Sequence, residues 1–404
     1  MDGVLTSTRG QRGLPRWFST SFALVSRLSK GSFEIILPDG RRFRANGTQE
    51  GPHGVLLVRN PDLFTRVARE GDLGFAEAYM DGWWDSPDLQ SLLDMVMLNN
   101  DVVGRAFPGA ALVRLYERAR HWMNRNSRGQ ARKNISYHYD LGNDFYSTWL
   151  DETMTYSSAL FERSDIPLAQ AQEAKYASIC DRIGVREGQH VLEIGCGWGG
   201  FAEYAAGVRG AKVTGLTISR EQLEYAQERI FKAGLNERVE LVMRDYRDEE
   251  RAFDGVASIE MFEAVGEQYW PIYFNSLRER LLPGGQATLQ IITVHDRLFE
   301  GYRKGVDFIQ KYIFPGGMLP SPLALNEQIG QAGLDHVGSI EFGDSYSETL
   351  RIWHRKFQES WGDIAALGFD DRFKRMWDFY LTSCAACFKS GATDVTQVTM
   401  RRPA

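Results

Sequence analysis

From residue 165 to the C-terminus, short apolar runs alternate with stretches in which apolar residues recur every three or four positions. The runs are HVLEIGC, AKVTGLTIS, VELVMRDY, FDGVASIEM and QATLQIITV, and PLAQAQEAKYASICDRIG and REQLEYAQERIFKAG are two of the helical stretches. Strands this apolar are buried on both faces, and their alternation with helices joins them as β-α-β units. The expected fold class is α/β, a doubly wound parallel sheet. Two further strands, HVGSIEFGD and TDVTQVTMRR, enclose a helical insert over about 347–390.

The N-terminal pattern is different. SFEIILPDGRRFRAN reads as two short strands joined at Asp39-Gly40, a favoured hairpin pair, and GVLLVRN adds a third before Pro61 opens a helix. A small α+β domain is expected over 31–104. Within it, FAEAYMDGWWDSPDLQSLLDMVM has helical spacing around Tyr79, Trp83 and Trp84, an aromatic group of the kind that packs a core. Residues 1–30 carry few acids and scattered arginines, which predicts a mobile leader or a short anchoring helix. A basic helical linker follows over 105–134, and the sheet-bearing domain occupies 135–404.

Composition adds limits. In 404 residues, 43% hydrophobic and 25% charged are values of a folded globular chain. No apolar run reaches the 18 or so residues that cross a bilayer, and MDGVLTSTRGQRGLPRWF lacks the apolar segment of a signal peptide. A cytoplasmic location is expected, and four cysteines agree with a reducing compartment. The net charge of −6 is unevenly spread. Residues 105–133 hold eight Arg or Lys against the single acid Glu117, interleaved with Phe107, Leu112, Tyr116 and Trp122. Such a stretch can lie on an anionic membrane or be a solvated helix face. Nucleic acid is not an expected partner, because the stretch is short and the chain as a whole acidic.

The chemistry concentrates where the first strand turns into a helix. VLEIGCGWGG places Glu193, Gly195, Gly197, Gly199 and Gly200 there, in the spacing E-x-G-x-G-x-G-G and not G-x-G-x-x-G. Glycines let the backbone approach a ligand, and the next helix offers free amide hydrogens. This form resembles the first motif of class I S-adenosylmethionine-dependent methyltransferases. Two other positions stand at strand ends, where ligands of such sheets bind: Glu263 after the fourth strand and Tyr346 after the sixth. Cys384 and Cys387 form a C-x-x-C pair with no second pair, so no metal site is expected.

Further motifs sharpen the resemblance. TISREQ, YHYDLGNDFYSTWLDETMTYSSALF at 137–161, DYRD at 245–248, MFEAVG at 261–266 and KYIFPGGMLP at 311–320 stand in the order found in the cyclopropane-fatty-acyl-phospholipid synthase family. That family is related to the mycolic acid methyltransferases, and the resemblance covers about residues 134–400. It implies that Tyr156 and Ser157 close over S-adenosylmethionine and that Glu193, Gly195, Gly197 and Gly199 hold its methionine end. Thr217 and Gln222 would meet the ribose, Tyr246 and Arg247 would flank the adenine, and His138 would orient the lid.

The resemblance also implies a bicarbonate ion near the cofactor, with Ser158, Glu263, Gln290, Ile292 and Tyr346 as its ligands, and Cys384 as a lining residue of the acyl channel. The chain departs from the family at three of these places. Ser158 stands for the usual Cys, Gln290 for the usual His, and Ala264 for the His that often follows the glutamate. Gln290 can donate a hydrogen bond but cannot carry a positive charge or titrate. The expected activity is therefore C-methylation of unsaturated acyl chains of membrane phospholipids. The product is left open between a cyclopropane and a methyl-branched, methylene or furan-precursor chain. Small-amine N-methylation and non-catalytic lipid binding are the competing readings. A peripheral contact with anionic membrane through 105–133 is expected, and a homodimer is compatible with the sequence.

Overall fold

In a computed structural model, residues 3–100, 141–163 and 165–404 are described. In chain order the small N-terminal segment contains α1 (Phe18–Val25), β1 (Lys30–Ile36), β2 (Arg42–Asn46), β3 (Gln49–Val58), α2 (Leu63–Met80), β4 (Trp84–Asp85) and α3 (Leu89–Leu98). Then come α4 (Asn143–Trp149), α5 (Leu168–Ile183), β5 (His190–Ile194), α6 (Gly200–Gly207), β6 (Lys212–Thr217), α7 (Arg220–Lys232), β7 (Val239–Met243) and β8 (Phe253–Ile259). The chain continues with α8 (Trp270–Arg280), β9 (Leu281–Val294), α9 (Asp296–Tyr302), α10 (Pro322–Gln331) and β10 (Asp335–Glu341). It closes with α11 (Gly343–Glu359), α12 (Trp361–Ala366), α13 (Asp371–Ser390) and β11 (Thr393–Arg401).

By their internal packing the described residues form two units. One gathers the N-terminal segment with Lys304–Ile313 and Trp361–Ala392, and the other holds the remainder from residue 141 onward. The helical insert is thus shared: α11 stays with the large sheet, whereas α13 packs on α2 and α3. Packing therefore divides the chain differently from a contiguous 135–404 domain. A helix inserted between two strands can leave its own sheet whenever its apolar face finds a better partner elsewhere.

In the smaller unit, Asp39-Gly40 makes the expected turn between antiparallel β1 and β2, with Gly40 at a φ of 86°. β3 then lies parallel to β1, giving the order β2-β1-β3-β4. The first 30 residues are not a mobile leader throughout. Phe18 and Phe22 of α1 are buried, and Phe18 meets Phe43 and Phe64 at 4.8 and 5.0 Å. The tryptophan-rich stretch is not one helix: Gly82 turns the chain after α2, and Asp88 caps α3 by accepting from the Ser91 amide at 2.9 Å. Its aromatic core is as expected, with Trp84 stacked on Phe75 and tilted against Tyr79.

The larger unit is the doubly wound sheet, in the order β10-β11-β9-β8-β5-β6-β7. β5, β6, β7, β8 and β9 are mutually parallel, and β11 runs antiparallel to both β9 and β10. One face is filled by residues such as Phe253, Tyr273, Leu289 and Ile291, the other by Ile179, Phe201, Val213 and Ile230. Successive strands build outward from β5 to one side through β6 and to the other through β8. The crevice at the C-terminal end of β5 is therefore the topological switch point, where a ligand of this architecture sits. No helix among the described residues is long and apolar enough to cross a membrane.

Candidate active site

The turn after β5 is shaped by glycine. Gly195, Gly197 and Gly199 have φ of 85°, 49° and 84°, a region costly for any residue with a Cβ. At Gly195 a Cβ would also meet Met261 Cγ at 2.8 Å. The turn is pinned by the Gly195 and Cys196 amides, both donating to the Leu216 carbonyl at 2.9 and 2.8 Å. Cys196 is buried beneath it as a packing group. At the end of β5, the Glu193 carboxyl is buried and its Oε2 makes no hydrogen bond. Burial pushes this carboxyl up to about 8, against the opposing pull of Arg229 and Lys175.

Beside the turn, Thr217 ends β6. Its Oγ1 donates to Gln222 Oε1 at 3.3 Å and accepts from the Ser219 amide at 3.1 Å, and Ser219 caps α7. After β7, Arg247 is held by Asp245 and lies over the Tyr246 ring at 5.4 Å. Tyr156 belongs to an aromatic cluster with Tyr146, Trp149 and Trp353 at 5.2 to 5.6 Å. Ser157 Oγ accepts from Lys175 Nζ at 2.7 Å, and Lys175 also donates to Gln172 Oε1 at 2.6 Å. Burial lowers the Lys175 ammonium to about 7, although Glu260, Asp151 and Glu193 pull it the other way. A glycine cradle next to a buried carboxyl whose Oε2 has no partner, with paired polar groups at the next strand end, fits S-adenosylmethionine.

The expected bicarbonate ligands are also assembled, but around a carboxylate of the chain itself. Glu260 is the first residue after β8, at a φ of 50°. Its Oε1 accepts from the Ser158 amide and from Gln290 Nε2, both at 2.8 Å, and its Oε2 accepts from the Tyr346 hydroxyl at 2.6 Å. The Gln290 orientation is set from behind. Ser178 Oγ donates to Gln397 Oε1, and Gln397 Nε2 donates to Gln290 Oε1, so Nε2 of Gln290 faces Glu260. Its second hydrogen goes to the Ser158 carbonyl at 3.2 Å.

The fourth expected donor, the Ile292 amide, gives its hydrogen to Glu263 Oε1 at 2.6 Å, while Glu263 Oε2 is buried without a partner. Burial and the nearby Glu260 push the Glu263 carboxyl up to about 8. Burial likewise raises Glu260, and its three donors and Lys175 act against the rise. These donors are spent, so the arrangement does not fit an added bicarbonate ion as the resemblance implied. Ser158 contributes its backbone amide, its own hydroxyl turning to the Ala159 carbonyl at 2.9 Å.

Cys384 lies in the other unit, where burial raises its thiol well above the ordinary range, and His138 lies outside the described residues, as does the basic stretch 105–133. Two others went unremarked in the sequence. Glu260 carries the same strand-end signal as Glu263, three residues earlier in SIEMFEA, and Lys175 is a lone cation on the inward face of α5.

The profile of the mycolic acid cyclopropane synthetase family matches residues 126–398. A tuberculostearic acid methyltransferase, UfaA1 of Mycobacterium tuberculosis, is 38% identical over 95% of this chain and 92% of its own. A cyclopropane-fatty-acyl-phospholipid synthase of Escherichia coli is 36% identical over 91% of this chain and 96% of its own. Among solved structures, mycolic acid cyclopropane synthase CmaA1 complexed with SAH and CTAB superposes with a TM-score of 0.63 at 30% identity, covering 67% of this chain and 98% of that one. Coclaurine N-methyltransferase reaches the same TM-score at 18% identity, a likeness of fold alone.

Proposed function

The chain belongs to the mycolic acid cyclopropane synthetase family of S-adenosylmethionine-dependent methyltransferases, and we propose that it methylates a carbon–carbon double bond in an acyl chain of a membrane phospholipid. The cofactor supplies an electrophilic methyl group on a sulfonium. An isolated alkene is a weak nucleophile, so the protein must hold it close, keep water out and stabilise the carbocation that forms. The observation that carries this reading is the pair of half-buried glutamates, Glu260 and Glu263, directly after β8 and beside the glycine turn. The Glu260 carboxylate, preorganised by its three hydrogen-bond donors, stabilises a developing cation without reorganisation. Glu193, Thr217 and Gln222 orient the cofactor, Tyr246 and Arg247 take the adenine side, and Tyr156 with Ser157 closes over it.

One full-length relative is named for a methylated fatty acid and the other for a cyclopropane one. Both products begin with the same methyl transfer, and they diverge in the fate of the cation. The basic stretch 105–133 brings the enzyme to anionic headgroups at the inner face of the cytoplasmic membrane. The test is mass spectrometry of total lipids from a host lacking its own cyclopropane synthase, with and without this chain expressed. The expected result is a gain of one CH2 on unsaturated chains, with fragmentation separating a ring from a branch or methylene. Unaltered lipids, including in cells supplied with conjugated-diene acyl chains, would refute the acyl substrate.

A further inference from the structure

We infer that the Glu260 carboxylate is a built-in anion that replaces bicarbonate in this site and takes the proton released after methyl transfer. The inference rests on the proposed alkene methylation for its chemistry, but its structural half stands without it. Five residues were expected around a bound ion: Ser158, Glu263, Gln290, Ile292 and Tyr346. The Ser158 amide, Gln290 and Tyr346 instead converge on Glu260, and the Ile292 amide donates to Glu263 itself. Gln290 has both amide hydrogens used, one on Glu260 and one on the Ser158 carbonyl. A second anion would face the Glu260 carboxylate, and like charges in a desolvated site exclude one another.

The backbone shows that this placement is specific. Glu260 is one of only three non-glycine residues at positive φ among the described residues. Such a conformation is strained and persists where surrounding contacts hold it. Here the Glu260 amide donates to the Gln290 carbonyl at 2.8 Å while the Gln290 side chain holds the carboxylate. The bent backbone turns the carboxylate toward Ser158 and Tyr346, away from the direction in which β8 was running. Unlike a fully enclosed ion pair, Glu260 retains part of its surface exposed, as a group that meets a substrate must.

The proton balance is simple. The alkene π pair forms the new C–C bond as the C–S pair stays with sulfur, leaving a cation on the neighbouring carbon. Glu260 then takes a proton either from the transferred methyl carbon, whose C–H pair closes the ring onto the cationic carbon, or from a carbon next to the cation, whose C–H pair makes a new double bond. The carboxylic acid afterwards loses its proton to water. No external base or reductant enters.

The test uses the full-length enzyme, bicarbonate and formate as probes, and the variants Glu260→Gly and Glu260→Gln. Glycine relieves the positive φ and leaves the three donors open. Glu260→Gly is expected to gain a saturable rise in Tm with formate or bicarbonate that wild type lacks. It should also recover turnover with those anions. Wild type should turn over equally in CO2-free buffer. Glu260→Gln, nearly isosteric but unable to take the proton, should lose roughly 10²–10⁴-fold in kcat with cofactor Kd unchanged. Loss of wild-type turnover in CO2-free buffer, near-wild-type kcat in Glu260→Gln, or a folded Glu260→Gly with no anion-dependent Tm rise would each overturn the inference. If wild type methylates no acyl chain, the substrate reading fails, whereas anion binding by Glu260→Gly still decides whether Glu260 fills the anion site.

Discussion

Replacing Tyr346 by Phe removes one oxygen and nothing else. The ring packs edge-on against Trp353 at 6.3 Å, a contact that phenylalanine keeps, so no cavity opens. What is lost is a 2.6 Å hydrogen bond from a phenol to Glu260 Oε2. A hydrogen bond to a charged group contributes about 1.5–3 kcal/mol. The hydroxyl donates to the ionised carboxylate, so its loss favours the neutral acid. At about 1.4 kcal/mol per factor of ten, the ratio of ionised to neutral Glu260 falls roughly ten- to hundredfold. The Ser158 amide and Gln290 remain on Oε1, so the carboxylate stays in place. The acid limb of the kcat–pH profile of Tyr346→Phe should therefore move to higher pH, while cofactor Kd by calorimetry and Tm change little. At high pH the variant should approach wild type. An acid limb superimposable on that of wild type would refute the reasoning, because Tyr346 would then not be stabilising an ionised base that limits turnover.

The glycine turn is testable through Gly195→Ala. A left-handed φ costs about 1–2 kcal/mol and overlap with Met261 about 1–3 kcal/mol, so S-adenosylmethionine affinity by calorimetry should fall at least about tenfold. The ligand-free protein should lose stability as pH rises from about 4.5 to about 8. Glu193 and Glu263 keep their protons in the folded state up to about 8, while in the unfolded chain they ionise near the ordinary 4.5, so the unfolded state binds fewer protons across that window. Lys175 acts oppositely, adding stability from about 7 upward to its ordinary 10.5, so the clearest fall lies between about pH 5 and 7. Urea melts at those two values should differ by at least about 1 kcal/mol, and equal or rising stability would contradict the assignment. Neutralising Arg114, Arg118 and Arg125 together should weaken binding to anionic vesicles at low salt, with the difference vanishing at high salt. Binding by the triple variant equal to wild type would return that stretch to a solvated surface.

Much of the fold was legible because its signals are local. The runs that became β5 to β9 are near-continuously apolar, and the helices between them show their period within a dozen residues. What escaped were choices made between distant segments. The stretch around Trp83 and Trp84 has helical spacing, yet Gly82 and the pairing of β4 with β3 break it. Residues 1–30 read equally as a mobile leader or a short anchoring helix, and Phe43 and Phe64 decide for the helix by giving Phe18 and Phe22 a surface to bury against.

By itself the sequence determined the sheet class and the glycine turn, because strand period and the E-x-G-x-G-x-G-G spacing are properties of contiguous residues, and its ordered motifs carried the resemblance to the family. It also brought Ser158, Gln290, Ile292 and Tyr346 forward as members of one site. Only the tertiary structure decided what they surround. The donors to Glu260 come from positions 102, 30 and 86 residues away along the chain. No local pattern records which acceptor such separated donors will meet. Burial then converts that meeting into chemistry, since a carboxylate withdrawn from water answers to the few hydrogen bonds left to it.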